Sequence, residues 1–144
     1  MRNRARVAAA LLCALAFLAY GCKTEKKRTI AVIPKGTSHL FWVSIEKGAR
    51  QAGQEFGVDI VWSGPATEVE YSRQLEIFES MVNRRVDGIA VAAIERRVLV
   101  DALEAAAKAN IPVTIFDSGA DSENYISFVA TNNYEAGKLG ARTL

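Results

Sequence analysis

From residue 29 onward, short apolar runs rich in β-branched residues alternate with longer segments that carry apolar residues every three or four positions. Runs of the first kind predict strands, and spacing of the second kind predicts amphipathic helices. The predicted strands span residues 29–33, 58–62, 87–93, 111–116 and 126–130. Predicted helices span residues 41–55, 69–84 and 98–109, and another helix starts at residue 133. This alternation predicts an α/β fold, a doubly wound parallel sheet with helices on both faces.

The pattern also predicts which positions are buried. In the first helix the apolar stripe comprises Phe41, Ile45, Ala49, Ala52 and Phe56, and in the second it comprises Leu75, Phe78 and Val82. Gly57 stands where a helix commonly ends on glycine, and Pro112 fits only the first residues of its strand. Strands three and four are almost continuously apolar, which is typical of strands buried on both faces.

Parallel sheets of this class bind ligands beyond the carboxyl ends of their strands, where the strand order reverses. The rule selects the loops at residues 35–39, 93–96, 117–119 and 131–133. These loops are the candidate binding region whatever family the chain belongs to.

The amino-terminal residues have the pattern of a bacterial secretion signal. Arg2, Arg4 and Arg6 precede an uninterrupted apolar stretch at residues 7–20, shorter than the ~20 residues that a membrane-spanning helix needs. We predict a signal at residues 1–21, a charged tether at 22–28 and a folded body at 29–144.

The signal ends at Gly21-Cys22, which resembles the bacterial lipobox, although Ala19 and Tyr20 are not the commonest residues at their positions. The resemblance implies cleavage before Cys22 and attachment of lipid to Cys22. The alternative is a signal cut elsewhere, or an uncleaved anchor, with Cys22 incidental. Cleavage before Cys22 would also remove Cys13 and leave a body without a free thiol, as suits an oxidising compartment.

Composition excludes several classes of function. Three of the 18 basic residues lie in the signal, so the rest of the chain, with 16 acidic residues, is nearly neutral and gives no reason to expect a nucleic-acid partner. A single histidine offers no cluster for a catalytic zinc site. The sequence has no G-x-G-x-x-G after the first strand, no P-loop and no G-x-S-x-G elbow. We therefore predict neither an enzyme nor a cofactor.

Several segments together resemble the periplasmic sugar-binding proteins of bacterial ABC importers, of the ribose-binding type. They are residues 29–33, 41–49, 86–89, 109–118 and 129–137. The ligand-binding core of lactose-repressor-like regulators is similar, but those regulators begin with a helix-turn-helix instead of an export signal. The family has two lobes that close on a ligand, and this chain is similar to the amino-terminal lobe. Because the sequence stops within a predicted helix, we expect it to be the front part of a longer protein.

The resemblance implies roles for five residues. Phe41 and Trp42 occupy the place of paired aromatics that stack on a sugar ring. Asp117 can accept two hydroxyl hydrogen bonds at once. Ser118 follows it where the sugar-binding pattern often has arginine, which weakens any assignment to ribose, and His39 lies where the ribose-type pattern carries asparagines. The alternatives are core packing for the aromatics, a cap or turn for the aspartate, and a solvated loop for the histidine.

Other polar residues near the predicted site are weaker candidates. Ser38 shares the loop of His39, and Glu95 follows strand three. Asn132 and Asn133 start a helix, for which capping is the default role.

The sequence as a whole predicts a lipid-anchored solute-binding protein at the periplasm or cell surface. Its partners would be a small polar solute, above all a sugar, an ABC permease in the inner membrane, and the membrane through the lipid. The alternative is a ligand-sensing module that feeds a membrane receptor kinase without transport.

Overall fold

A computed structural model describes residues 26–143. The predicted signal, the cleavage site, Cys22 and most of the tether lie outside the described residues. The strands are β1 Thr29–Ile33, β2 Asp59–Trp62, β3 Gly88–Val91, β4 Val113–Phe116 and β5 Ser127–Val129. The helices are α1 Leu40–Phe56, α2 Tyr71–Asn83, α3 Val100–Lys108 and α4 Asn133–Thr143. All the predicted elements are confirmed, and Pro112 lies just before β4 instead of within it.

The five strands form one parallel sheet in the order β2-β1-β3-β4-β5. Ile30 of β1 is in register with Ile60 on one side and with Gly88 on the other. The chain order therefore reverses at β1, and the switch point lies between β1 and β3. We call the edge formed by the loops that follow the strands the carboxyl edge of the sheet.

The main core lies between the sheet and helices α2 and α3. Fully buried side chains from the strands and helices fill it: Ala31, Ile33, Phe78, Val91, Leu103 and Ile115. Among residues 26–143, α1 is the helix that packs on the other face of the sheet, and an apolar cleft remains beside it, lined partly by Val32, Phe116 and Val129. In consequence Thr114 and Phe116 are only half-buried. The prediction that the fourth strand is buried on both faces was wrong for this reason.

On α2 Phe78 is buried as predicted, but the other buried positions lie one residue before the predicted ones. The fully buried positions of α2 are Gln74, Ile77, Phe78 and Met81, whereas Leu75 and Val82 are partly buried. Leu75 and Val82 line the groove between α2 and α3, so the helix directs its polar Gln74, and not these apolar residues, at the sheet.

The predicted stripe of α1 is also partly wrong. Phe41 and Phe56 are 46% and 73% exposed, and the buried residues are Trp42 and Gly53. A Cβ at Gly53 would lie 2.6 Å from Cγ1 of Ile60, so α1 approaches β2 too closely for a larger side chain. The helix ends at Gly57 in the left-handed conformation, as the sequence predicts.

Two further observations concern the described residues. Among residues 26–143 no helix is long and apolar enough to cross a membrane. The same residues contain no group of three or more histidine, cysteine or acidic side chains that could hold a metal ion.

Candidate functional site

An ion pair joins two loops of the carboxyl edge. Nζ of Lys35, in the loop after β1, lies 2.8 Å from Oδ2 of Asp117, directly after β4. The two side chains are 21% and 33% exposed. Because β3 lies between β1 and β4, this pair spans the end of β3 at the switch point.

The backbone of Asp117 forms a tight turn. Its φ is 59°, in the left-handed region that aspartate and asparagine tolerate better than most residues. Its N–H donates to the carbonyl of Val129 at 2.9 Å, and the N–H of Ser118 donates to the carbonyl of Phe116 at 2.7 Å. These bonds hold the carboxylate beyond the end of β4, where it meets Lys35.

Trp42 is buried at the same edge. It is 1% exposed, and its indole N–H donates to Oε1 of Glu68 at 2.7 Å. Its ring packs edge-to-face on Phe41, with centroids 4.8 Å apart, and on Phe116 at 6.3 Å. Lys35 Nζ lies 5.6 Å from the Trp42 centroid, within cation–π range. Of the predicted aromatic pair, Phe41 is therefore the residue whose side chain is exposed to solvent. A ligand could contact the ring of Trp42 only if the neighbouring side chains moved.

The other predicted site residues hold the loops in place. Ser118 Oγ donates to the carbonyl of Ala93 at 2.8 Å, which ties the loop after β4 to the loop after β3. Nδ1 of the exposed His39 accepts from the N–H of Phe41 at 3.1 Å and caps α1. Both residues thus make structural contacts that the sequence did not predict, and a ligand contact by either residue stays a prediction.

The weaker candidates also make local contacts. Ser38 Oγ donates to the carbonyl of Ala66 at 2.9 Å, between the loops after β1 and β2. Asn132 Oδ1 accepts from the N–H of Glu135 at 3.1 Å, so the predicted capping role is confirmed for Asn132. Glu95 Oε1 contacts only the N–H of Arg97, at 3.4 Å, among the described hydrogen bonds.

Three residues of the edge were not anticipated. Lys35 lies in a loop that the switch-point rule selects, but nothing in the sequence shows that it reaches Asp117. Glu68 lies in an irregular segment whose approach to Trp42 depends on the packing of α1. Gln74 is a polar residue in a helix pattern, so hydropathy alone assigns it to the surface.

Chemically, the edge offers a carboxylate, an ammonium group and an aromatic surface. A carboxylate accepts hydrogen bonds from hydroxyls and an ammonium group donates them. Because Asp117 and Lys35 neutralise each other, the arrangement favours a neutral ligand with several hydroxyl groups over a charged one.

Comparison with known proteins identifies the family of the chain. The family model described as periplasmic binding protein domain matches residues 30–144. The D-allose-binding periplasmic protein of Escherichia coli is 30% identical over an alignment of 118 residues, with 77% of this chain and 38% of that protein covered. The fructose import binding protein FruE of Bifidobacterium longum is 30% identical over 70% of this chain and 31% of its own length.

Solved structures give the same result. A carbohydrate transporter solute binding protein from Agrobacterium radiobacter, in complex with D-arabinose, superposes with a TM-score of 0.76 at 32% identity, over 83% of this chain and 40% of that one. A solute binding protein from Agrobacterium vitis with bound D-fucose has a TM-score of 0.72 at 38% identity, over 80% and 41%. The match thus spans only 31% to 41% of the length of these four relatives. With the family model matching nearly all of the folded body, this chain belongs to the periplasmic binding protein domain family and has its type I α/β fold.

Proposed function

We propose that this chain supplies one side of the sugar site of a solute-binding protein that serves an ABC importer. The observation that carries the proposal is the Lys35–Asp117 pair, 2.8 Å apart at the switch point, with the half-exposed Phe41 on the same edge. The related proteins named above are described as binding or importing allose, fructose, arabinose or fucose.

Each group has a role that follows from its chemistry. Asp117 accepts hydrogen bonds from two neighbouring hydroxyls, and Lys35 donates to a third oxygen. Phe41 offers an apolar face to the C–H side of the ring and excludes water from it. Recognition then rests on hydroxyl positions rather than on ligand charge.

One edge of one sheet covers only one side of a small molecule. Pockets normally bury ~70–90% of such a ligand, so the remaining contacts have to come from a second lobe, as the family resemblance implies. We therefore expect residues 23–144 alone to bind sugar weakly or undetectably in calorimetry, and tight binding by that fragment would contradict the two-lobe arrangement.

We further propose that the protein is exported, cleaved before Cys22 and anchored by lipid there, with residues 22–28 as the tether. The carbonyl of Arg28 accepts from the N–H of Asp59 at 2.8 Å, so the tether joins the body at the amino ends of β1 and β2. The proposed sugar site lies at the opposite ends of the strands. An anchored body would thus hold its site at the end away from the attachment point, open to solute and to a permease.

The test uses the full encoded protein and a panel of D-allose, D-ribose, D-fructose, D-arabinose and D-fucose. We expect at least one sugar to raise the melting temperature and to bind in calorimetry. Phe41→Ala should weaken that binding, whereas Phe56→Ala, an exposed phenylalanine at the far end of the same helix, serves as the matched control. Failure of every sugar, or equal effects of the two substitutions, would contradict the proposal.

A further inference from the structure

Gln74 is the buried polar side chain of the described core, and it lies in the first turns of α2, near the carboxyl edge. It is 1% exposed. Its side-chain amide nitrogen donates to the carbonyl of Pro34 at 2.9 Å and to the carbonyl of Ala92 at 2.8 Å. Its Oε1 accepts from the N–H of Ile94 at 3.0 Å. Both amide hydrogens and the carbonyl oxygen are thus used.

The partners of Gln74 lie in two different loops of the site. Pro34 follows β1 and directly precedes Lys35, while Ala92 and Ile94 follow β3. A backbone bond from the N–H of Ala92 to the carbonyl of Ile33, at 3.0 Å, joins the last residue of β1 to the residue that follows β3. Gln74 therefore links the segments that follow β1 and β3 just beyond this backbone bond.

Two contacts described above complete a ring of loops. The Ser118–Ala93 bond joins the loop after β3 to the loop after β4, and the Lys35–Asp117 pair joins the loop after β4 back to the loop after β1. Gln74 closes the remaining side. Lys35, Asp117 and Ser118 lie in loops, whereas Gln74 is buried and lies in a helix.

The chemistry of this position requires an amide. Two buried carbonyls need donors, and the N–H of Ile94 needs an acceptor, because an unpaired buried backbone group is costly. A glutamine side chain supplies two donors and an acceptor at one carbon, whereas an ionised glutamate supplies no donor and an apolar side chain supplies neither.

We propose that Gln74 is a positioning residue for the ligand-binding edge, and that it holds the loops after β1 and β3 at the separation which places Lys35 against Asp117. Its effect on affinity rests on the proposed sugar-binding function. Its effect on loop geometry does not.

The test compares three forms of the full encoded protein: wild type, Gln74→Met and Met81→Ala. Methionine has a similar length but makes none of the three hydrogen bonds. Met81 is buried on the same face of α2 about two turns further along, so its truncation lowers stability without touching the carboxyl edge. Hydrogen exchange of the Ile94 amide reports loop geometry, and calorimetry with the sugar of the panel that binds tightest reports affinity.

We expect Ile94 to exchange at least about tenfold faster in Gln74→Met than in Met81→Ala, at denaturant concentrations that match their global stabilities. We expect sugar affinity to fall at least about tenfold in Gln74→Met and less than about threefold in Met81→Ala. Equal Ile94 protection in the two variants, or equal losses of affinity, would overturn the proposal.

Two outcomes need separate treatment. If wild type binds none of the sugars, the proposed function fails, and the exchange of Ile94 still decides whether Gln74 positions the loops. If Gln74→Met does not fold, the side-chain amide protons of Gln74 in wild type decide the matter. Slow exchange of those protons supports the two hydrogen bonds that the side chain donates to Pro34 and Ala92, and so the link between the two loops; exchange at the rate of a solvent-exposed amide overturns it.

Discussion

Replacing Asp117 with asparagine separates a ligand-binding role from a structural role in the turn. Aspartate and asparagine are both tolerated at a φ of 59°, so the backbone of the turn should be unchanged. The substitution removes the negative charge and places an NH₂ group where the carboxylate would accept a hydroxyl proton. Shape and one acceptor oxygen are kept.

Two magnitudes matter for this substitution, one for stability and one for affinity. The Lys35–Asp117 pair is partly exposed, and ion pairs of this kind contribute about 0–1 kcal/mol to stability. The free energy of unfolding should therefore fall by about 1 kcal/mol or less. Hydrogen bonds to a charged group are worth about 1.5–3 kcal/mol each, so sugar affinity should fall at least tenfold, which corresponds to ~1.4 kcal/mol.

The assay is calorimetric titration together with urea unfolding of the full encoded protein. Asp117→Ala is the matched control, since it removes the same charge but costs about 1–2 kcal/mol more through the left-handed backbone. Unchanged affinity in Asp117→Asn would remove Asp117 from the site. Equal stability of the asparagine and alanine variants would refute the argument from backbone conformation.

Three other predictions follow from single residues. Trp42→Ala should lower the free energy of unfolding by about 3–5 kcal/mol, because it leaves a cavity at a buried position. Phe41→Ala should lower it by about 1 kcal/mol or less, since Phe41 is partly exposed. Urea unfolding measures both losses, and equal losses would contradict the difference in burial. The N–H of Thr67 donates to Glu70 and, with the Thr67 side chain, holds the pKa of Glu70 below its usual 4.5. The stability that this carboxylate adds is therefore present above about pH 4.5 and is lost as pH falls through the lowered pKa. Glu70→Gln should flatten the acid side of the curve of unfolding free energy against pH, and an unchanged curve would refute this. Cys22→Ser should release the protein from the membrane fraction, as measured by fractionation, and a mature amino terminus mapped well away from Cys22 would disprove lipid attachment there.

The alternation of strands and helices was enough to predict the fold class, because a parallel sheet is the common solution to that pattern. It was not enough to predict which face of a helix is buried. On α2 the position that meets the sheet carries Gln74, whose burial depends on backbone groups of two loops that are distant in sequence. Hydropathy cannot anticipate such a partner set.

The loops of the candidate site were predictable from the sequence, but the contacts within it were not. The switch-point rule selected the loops that carry Asp117 and Lys35, since it depends only on the order of elements. The contact between the two residues depends on β3 lying between their strands and on the left-handed turn at Asp117. The burial of Trp42 depends in turn on how α1 crosses the sheet, which its own apolar pattern did not reveal.

The strand order also bears on how the chain assembles during synthesis. β2 adds to one side of β1 and β3 to the other, and β4 and β5 then add outward in chain order. As the polypeptide emerges amino end first, each of these strands meets an edge that is already in place, and none has to be displaced to admit a later one. The entropy of loop closure is then paid in short successive steps. Every later strand adds on the same side of the sheet, first to β1, then to β3, then to β4. Until the next strand arrives, that open edge can pair prematurely with another chain.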